Sequence, residues 1–219
     1  MKFDQEKLTP ALWLHFRGTS KIARLIQWAQ AKWYKRHCRR NGLEYRAPWG
    51  NHDGLLCRYP GSLNWFCGEA LQQGSVITPI EEIERQINAR EIECRVYQVI
   101  GMTDGAGMRV CDNWRRYVSG TPYDWAAYPR LIIKTLVMDW EQWPWPFSCI
   151  GRKAAGWKWA NWCTEGVAAA YSKWPPHISI INNSNPIPMH VEQVAGELPC
   201  RPPRAVKLRD ITDQVIKRA

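Results

Sequence analysis

The chain has 219 residues, 45% of them hydrophobic, which suits one domain with a substantial core and excludes wholesale disorder. Lys and Arg number 30 against 20 Asp and Glu, for a formal charge of +10 and a pI near 9.3, so anionic surroundings are favoured: nucleic acid, anionic lipid or an acidic cell-wall polymer. No apolar run reaches membrane-spanning length, and the opening "MKFDQEKLTPALWLHFRG" is charged and then too briefly apolar for a secretory signal. The expected localisation is therefore cytoplasmic as synthesised, with lysis or packaging in a virion as routes out.

In chain order, an apolar strand-like stretch around His15 precedes a helix over 18–40. Thr19 or Ser20 can cap that helix, and Ile22, Leu25, Ile26, Ala29 and Trp33 recur along it. Its far end, "KWYKRHCRR", is strongly basic, as suits a helix C-terminus. Asn-Gly, Pro and Gly mark 41–51 as loop. Strands over 53–59 and 63–70 follow, joined by a turn at Pro60-Gly61. "TPIEEIERQIN" (78–88) reads as a capping-box helix with Thr78 as N-cap, Pro79 at N1 and Glu81 at N3. A β-branched strand spans 92–102, and 106–120 reads as a helix stopped by Gly120. Residues 121–161 are irregular and aromatic, with a helix expected near 125–138. A further helix starts at Cys163 and ends before Trp174-Pro175-Pro176. The order of elements predicts an α+β fold: one domain over 1–219, its core about 11–195, and a proline-rich tail about 196–219 on the surface.

Eight cysteines, at 38, 57, 67, 94, 111, 149, 163 and 200, form no CxxC pair and no zinc-like spacing with histidine. No metal site and no cofactor is expected. Most of the thiols read as reduced, small apolar fillers, and a bridge between Cys57 and Cys67 across the hairpin is disfavoured. Cys163 differs because it opens a helix, "CTEGVAAAY", where a thiolate is favoured. A nucleophile there needs a base and a group to orient it. His37 lies in the basic cluster, and His177 and His190 lie in proline-rich chain. His15 reads as a satisfied core histidine. His52 opens a strand, which would hold its imidazole rigidly beside a cleft. With the turn at 60–61, Glu69 on the partner strand pairs near residue 52, so an imidazole–carboxylate contact is expected.

The motif order resembles the circularly permuted papain-like enzymes, closest to the YiiX-like group within the NlpC-type superfamily that includes lecithin:retinol acyltransferase. The resemblance is carried by "LWLHFRGTSKIARLIQWAQ", "GNHDGLL", "WFCGEAL", "GTPYDW", "WCTEGVAAAY" and "NPIPMHVEQV", covering about 11–195. Asn51 stands where the group usually has serine, Asp53 where it has an apolar residue, and Thr164 where it has serine. The resemblance implies a small antiparallel sheet packed against helices in a permuted papain-like fold. It also implies a thiol hydrolase or cysteine amidase with Cys163 as nucleophile, His52 as base and then acid, and Glu69 orienting His52. The Cys163 backbone N–H would share the oxyanion with the hydroxyl of Tyr123, unless the Pro-Tyr turn simply packs on the core. Glu165 reads as support for the helix N-terminus.

The expected substrates are amide, ester or thioester bonds in a peptide, peptidoglycan or an acyl lipid. An acyltransferase of the lecithin:retinol type would use the same nucleophile. A reading from another class is a basic, Trp-rich nucleic-acid-binding or virion assembly protein. In that reading Lys32, Lys35, Arg36, Arg39 and Arg40 track phosphates while Trp33 and Tyr34 stack on bases. The same five cations would also suit an anionic polymer or membrane surface. The tryptophans of 140–162 could wall a cleft, with packing as the alternative.

Overall fold

A computed structural model gives the structure of the chain and describes residues 1–59, 61–124, 163–172, 188–200 and 207–217. At its centre is an antiparallel sheet of six strands: β2 (Leu12–Gly18), β3 (His52–Cys57), β4 (Phe66–Leu71), β5 (Gly74–Pro79), β6 (Ile92–Val99) and β7 (Leu208–Asp210). Their order across the sheet is β5-β4-β3-β2-β6-β7. The fold class is α+β. A two-stranded ribbon pairs β1 (Lys2–Phe3) with β8 (Ile216–Lys217).

Both faces of the sheet are covered, which explains why β2 is apolar nearly throughout rather than alternating. Trp13, Leu55, Cys57, Tyr97 and Val99 face one layer, made by α3 (Asp104–Asn113), α4 (Cys163–Ser172) and α5 (Met189–Val194). Leu12, Leu14, Phe16, Leu56, Cys67 and Val96 face the other, where α2 (Ile80–Asn88) inserts Ile80, Ile83 and Ile87. The long helix α1 (Lys21–Asn41) packs Ile26, Ala29, Trp33, Tyr34 and Cys38 into a third cluster with Ala70, Tyr123, Met189 and Leu198. Ser20 caps α1 by accepting from the Ala23 N–H, and Gly42 closes it in the left-handed region.

Several boundaries differ from expectation for identifiable reasons. β5 was not foreseen, because "SVITP" is short and runs straight into a helix. That strand carries Thr78 and Pro79, so α2 begins at Ile80 with Pro79 as its N-cap and no side-chain cap bond. Thr78 is therefore a strand residue and not the head of a capping box. The helix expected over 106–120 stops being regular at Asn113 and continues as a wider π-type turn, Trp114–Val118. Trp114, fully buried, lies against Gly68 of β4 and Gly166 of α4; a side chain at Gly68 would occupy the indole's place.

The chain after 196 is not confined to the surface. Leu208, Ile211 and Val215 are buried, β7 adds an edge strand to the main sheet, and Phe3 and Leu8 bring the N-terminus into the same core. Apolar residues spaced among prolines and charges hid this packing from composition. The helix expected near 125–138, the tryptophans of 140–162, Cys149 and His177 lie outside the described residues.

Candidate functional site

The hairpin β3–β4 sets the geometry. Its register pairs Gly54 with Glu69, not residue 52, a shift of two positions from expectation. Because side chains alternate with period two, a two-residue shift keeps His52 and Glu69 on one face as a diagonal pair. The His52 Nε2–H donates to Glu69 Oε2 at 3.0 Å. The second carboxylate oxygen, Oε1, accepts from the Thr78 hydroxyl at 2.6 Å. Glu69 is thus gripped from two sides at 7% side-chain exposure, while the His52 side chain keeps 24% of its surface open.

Helix α4 delivers Cys163 to the cavity that the His52 imidazole lines. With Nε2 committed to Glu69, Nδ1 is the ring nitrogen left for sulfur. Burial alone would lower the His52 pKa, but the neighbouring Cys163 thiol and Glu69 carboxylate outweigh it and raise the value to about 10. Phe16 stacks on the imidazole at 5.7 Å between ring centroids and fixes its plane.

Cys163, His52 and Glu69 line a cavity of about 410 Å³. Thr19, Ser20, Ile22, Ala23 and Ile26, at the start of α1 and just before it, form one wall, and Tyr123 contributes elsewhere. Tyr123 is buried and packs in the cluster of α1 and Ala70. Asn51, also at the cavity, clasps the end of β2: its Oδ1 accepts from Gly18 N–H at 2.9 Å and its Nδ2 donates to Gly18 C=O at 3.1 Å. That clasp fixes the backbone immediately before His52.

A second polar cluster lies behind the first. Asp53, fully buried, accepts from Trp13 Nε1–H at 3.0 Å, from His15 Nδ1–H at 2.7 Å and from the Thr164 hydroxyl. Successive residues of β3 and of α4 thus serve two clusters: His52 and Cys163 line the cavity, and Asp53 and Thr164 bond to each other behind it. Glu192 on α5 accepts from His15 Nε2–H at 3.4 Å and from the backbone N–H groups of Trp49 and Gly50. Both ring nitrogens of His15 face carboxylates, an arrangement that favours the imidazolium. Burial would lower its pKa, yet Asp53 and Glu192 raise it to about 9. Gly50 has to be glycine, since a side chain there would fall on the His15 ring.

The structure brings Cys163, His52, Glu69 and Tyr123 to one cavity, and places the basic residues elsewhere. Lys32, Lys35, Arg39 and Arg40 are exposed on α1 and Arg36 is half-buried. Trp33 and Tyr34 are buried at 3% and 0% exposure, so they are core residues and present no stacking face to a base. His37 stacks on Trp33 within that core, and His190 is fully buried. All seven cysteines among the described residues are free, and among those residues no cluster of His, Cys, Asp or Glu is placed to hold a metal ion.

Thr78 and the pair Asp53–Thr164 went unrecognised in the sequence. A signal existed for the second: a carboxylate within the apolar strand "HDGLLC" demands buried partners. Thr78 was masked by its resemblance to a cap.

The fold and site define an α+β chain with a cysteine–imidazole–carboxylate grouping at one end of an antiparallel sheet. No family model and no curated protein matches the chain. Among solved structures it is similar to the metalloprotein yiiX from Escherichia coli O157:H7, at 14% identity, with 96% of each chain covered and a TM-score of 0.47.

Proposed function

We propose that the chain is a cysteine hydrolase acting on an amide, ester or thioester carbonyl through an acyl-cysteine. One observation carries this reading: the His52 imidazole, bonded to the Glu69 carboxylate, lines one open cavity together with the Cys163 thiol. Buried thiols used only for packing have no such partner; Cys57 and Cys67, for instance, are pushed up in pKa by burial.

In the proposed reaction the Cys163 sulfur attacks the substrate carbonyl carbon, with His52 as the conjugate imidazolium. The tetrahedral oxyanion is met by the backbone N–H at the start of α4, with the Tyr123 hydroxyl as a further donor. As the C–N, C–O or C–S bond breaks, His52 gives its proton to the leaving group. A water then attacks the thioester carbon while His52 accepts its proton, and collapse releases the acid and restores Cys163. Glu69, steadied by Thr78, keeps the ring in the tautomer and plane this cycle needs. An amine or alcohol in place of water would give acyl transfer by the same steps.

The test is a panel of acyl and peptide electrophiles and of ester, thioester and amide substrates, scored against Cys163→Ser by intact-mass spectrometry. At least one probe should add its acyl mass to Cys163 alone, with turnover lost in Cys163→Ser. Turnover that persists in Cys163→Ser and His52→Ala together would remove the proposed site from the chemistry.

A further inference from the structure

The outward side of α1 has a composition the catalytic reading does not use. Lys21, Leu25, Trp28, Lys32, Lys35 and Arg39 follow one another at spacings of four and three. At about 100° per residue they fall within an arc of about 80°, in a stripe about 27 Å long. All six are exposed, Leu25 by 37% and Trp28 by 43%. The opposite side of the helix is the buried cluster of Ile26, Ala29, Trp33 and Tyr34. No Asp or Glu occurs between Lys21 and Asn41, and the nearby exposed Glu44 is paired to Arg46 at 3.1 Å. The Lys32 ammonium lies over the Trp28 ring, 5.2 Å from its centroid.

We propose that this stripe docks the protein on an anionic phospholipid bilayer. Charge complementarity selects an anionic partner, and two large apolar side chains amid the cations narrow it. A polyphosphate chain offers nothing to Leu25, and a convex helix face is no groove for a nucleic-acid strand. A bilayer interface takes both components: lysines and arginine at the headgroups, Leu25 and Trp28 between them. Ile22 and Ile26, on the inward side of the same helix, line the cavity, so a docked α1 lies between the cavity and the lipid surface. The docking stands independently of the proposed chemistry.

The test is co-sedimentation of full-length Cys163→Ala protein with vesicles, so that its result reads docking whether or not the chain is a hydrolase. Vesicles of pure phosphatidylcholine are compared with three parts phosphatidylcholine to one part phosphatidylglycerol. The protein should bind the anionic vesicles and not the neutral ones, and high salt should release it. Each neutralised cation costs about fivefold in partitioning, so combined Lys21→Gln, Lys32→Gln, Lys35→Gln and Arg39→Gln should lose about 100-fold or more. Leu25→Ser with Trp28→Ser should lose about tenfold or more with the fold intact. The proposal is overturned by no binding to anionic vesicles, by equal binding to neutral ones, or by vesicle binding indifferent to the cation changes. It is equally overturned if Leu25→Ser/Trp28→Ser leaves vesicle binding unchanged while a DNA duplex competes for the same cations.

Discussion

Two imidazole–carboxylate pairs sit side by side, one across β2 and β3 and the other across β3 and β4, and differ in almost everything else. His15 and Asp53 are sealed at 0% exposure, with every polar atom of the pair directed at another protein group. His52 and Glu69 face a cavity, and His52 retains 24% side-chain exposure. The buried pair fastens three elements, β2, β3 and α4, and its disruption is a matter of stability. The open pair fastens little but holds a ring against sulfur, so its disruption is a matter of reactivity. A histidine beside a carboxylate says nothing by itself; access and a third partner decide.

The largest effect should come from the sealed pair. Asp53→Ala leaves a buried cation short of its main counter-charge and should cost about 3–5 kcal/mol of unfolding free energy, read by urea titration. His52→Ala, at the open pair, should cost less than about 1 kcal/mol in the same titration. Comparable losses in the two variants would erase the distinction.

Next comes pH. Folding raises His15 from 6.5 to about 9, so its contribution to stability is complete below about pH 6.5. It is lost as the pH rises through about 9. Thermal melts of the native chain should fall across that window more steeply than those of His15→Gln, and parallel curves would contradict an imidazolium at the sealed site. Smaller again, Glu69→Gln keeps the shape of the open pair but not its charge. It should slow thiol alkylation at Cys163 by about tenfold at unchanged melting temperature. Thr78→Val removes one of two grips on Glu69 and should slow the same reaction by about threefold.

The comparison also shows what was legible in the chain itself. Residues 52, 69 and 163 stood out as a grouping because a strand start, an apolar strand and a helix start are each recognisable locally. The parity of β3 and β4 survived a two-residue error in register, since only a slip of one would have moved Glu69 to the opposite face. What stayed hidden is long-range. His15 read as a core histidine, which it is, but its charge follows from Asp53 and Glu192, the latter 177 positions away. Thr78 fits a capping pattern as well as a strand, and only the extra strand β5 decides between them. The basic end of α1 was visible, yet which of its aromatic residues face outward was not: Trp33 and Tyr34 point inward, and Trp28 lies in the basic stripe.

Competitive alkylation addresses the open pair most directly. Limiting iodoacetamide near neutral pH is read by mass spectrometry at each of the eight cysteines, in the native chain and in His52→Ala. The account predicts that Cys163 reacts at least about tenfold ahead of the rest, and that His52→Ala slows it by about 100-fold. Uniform reaction across several thiols, or a Cys163 rate indifferent to the loss of the imidazole, would contradict it.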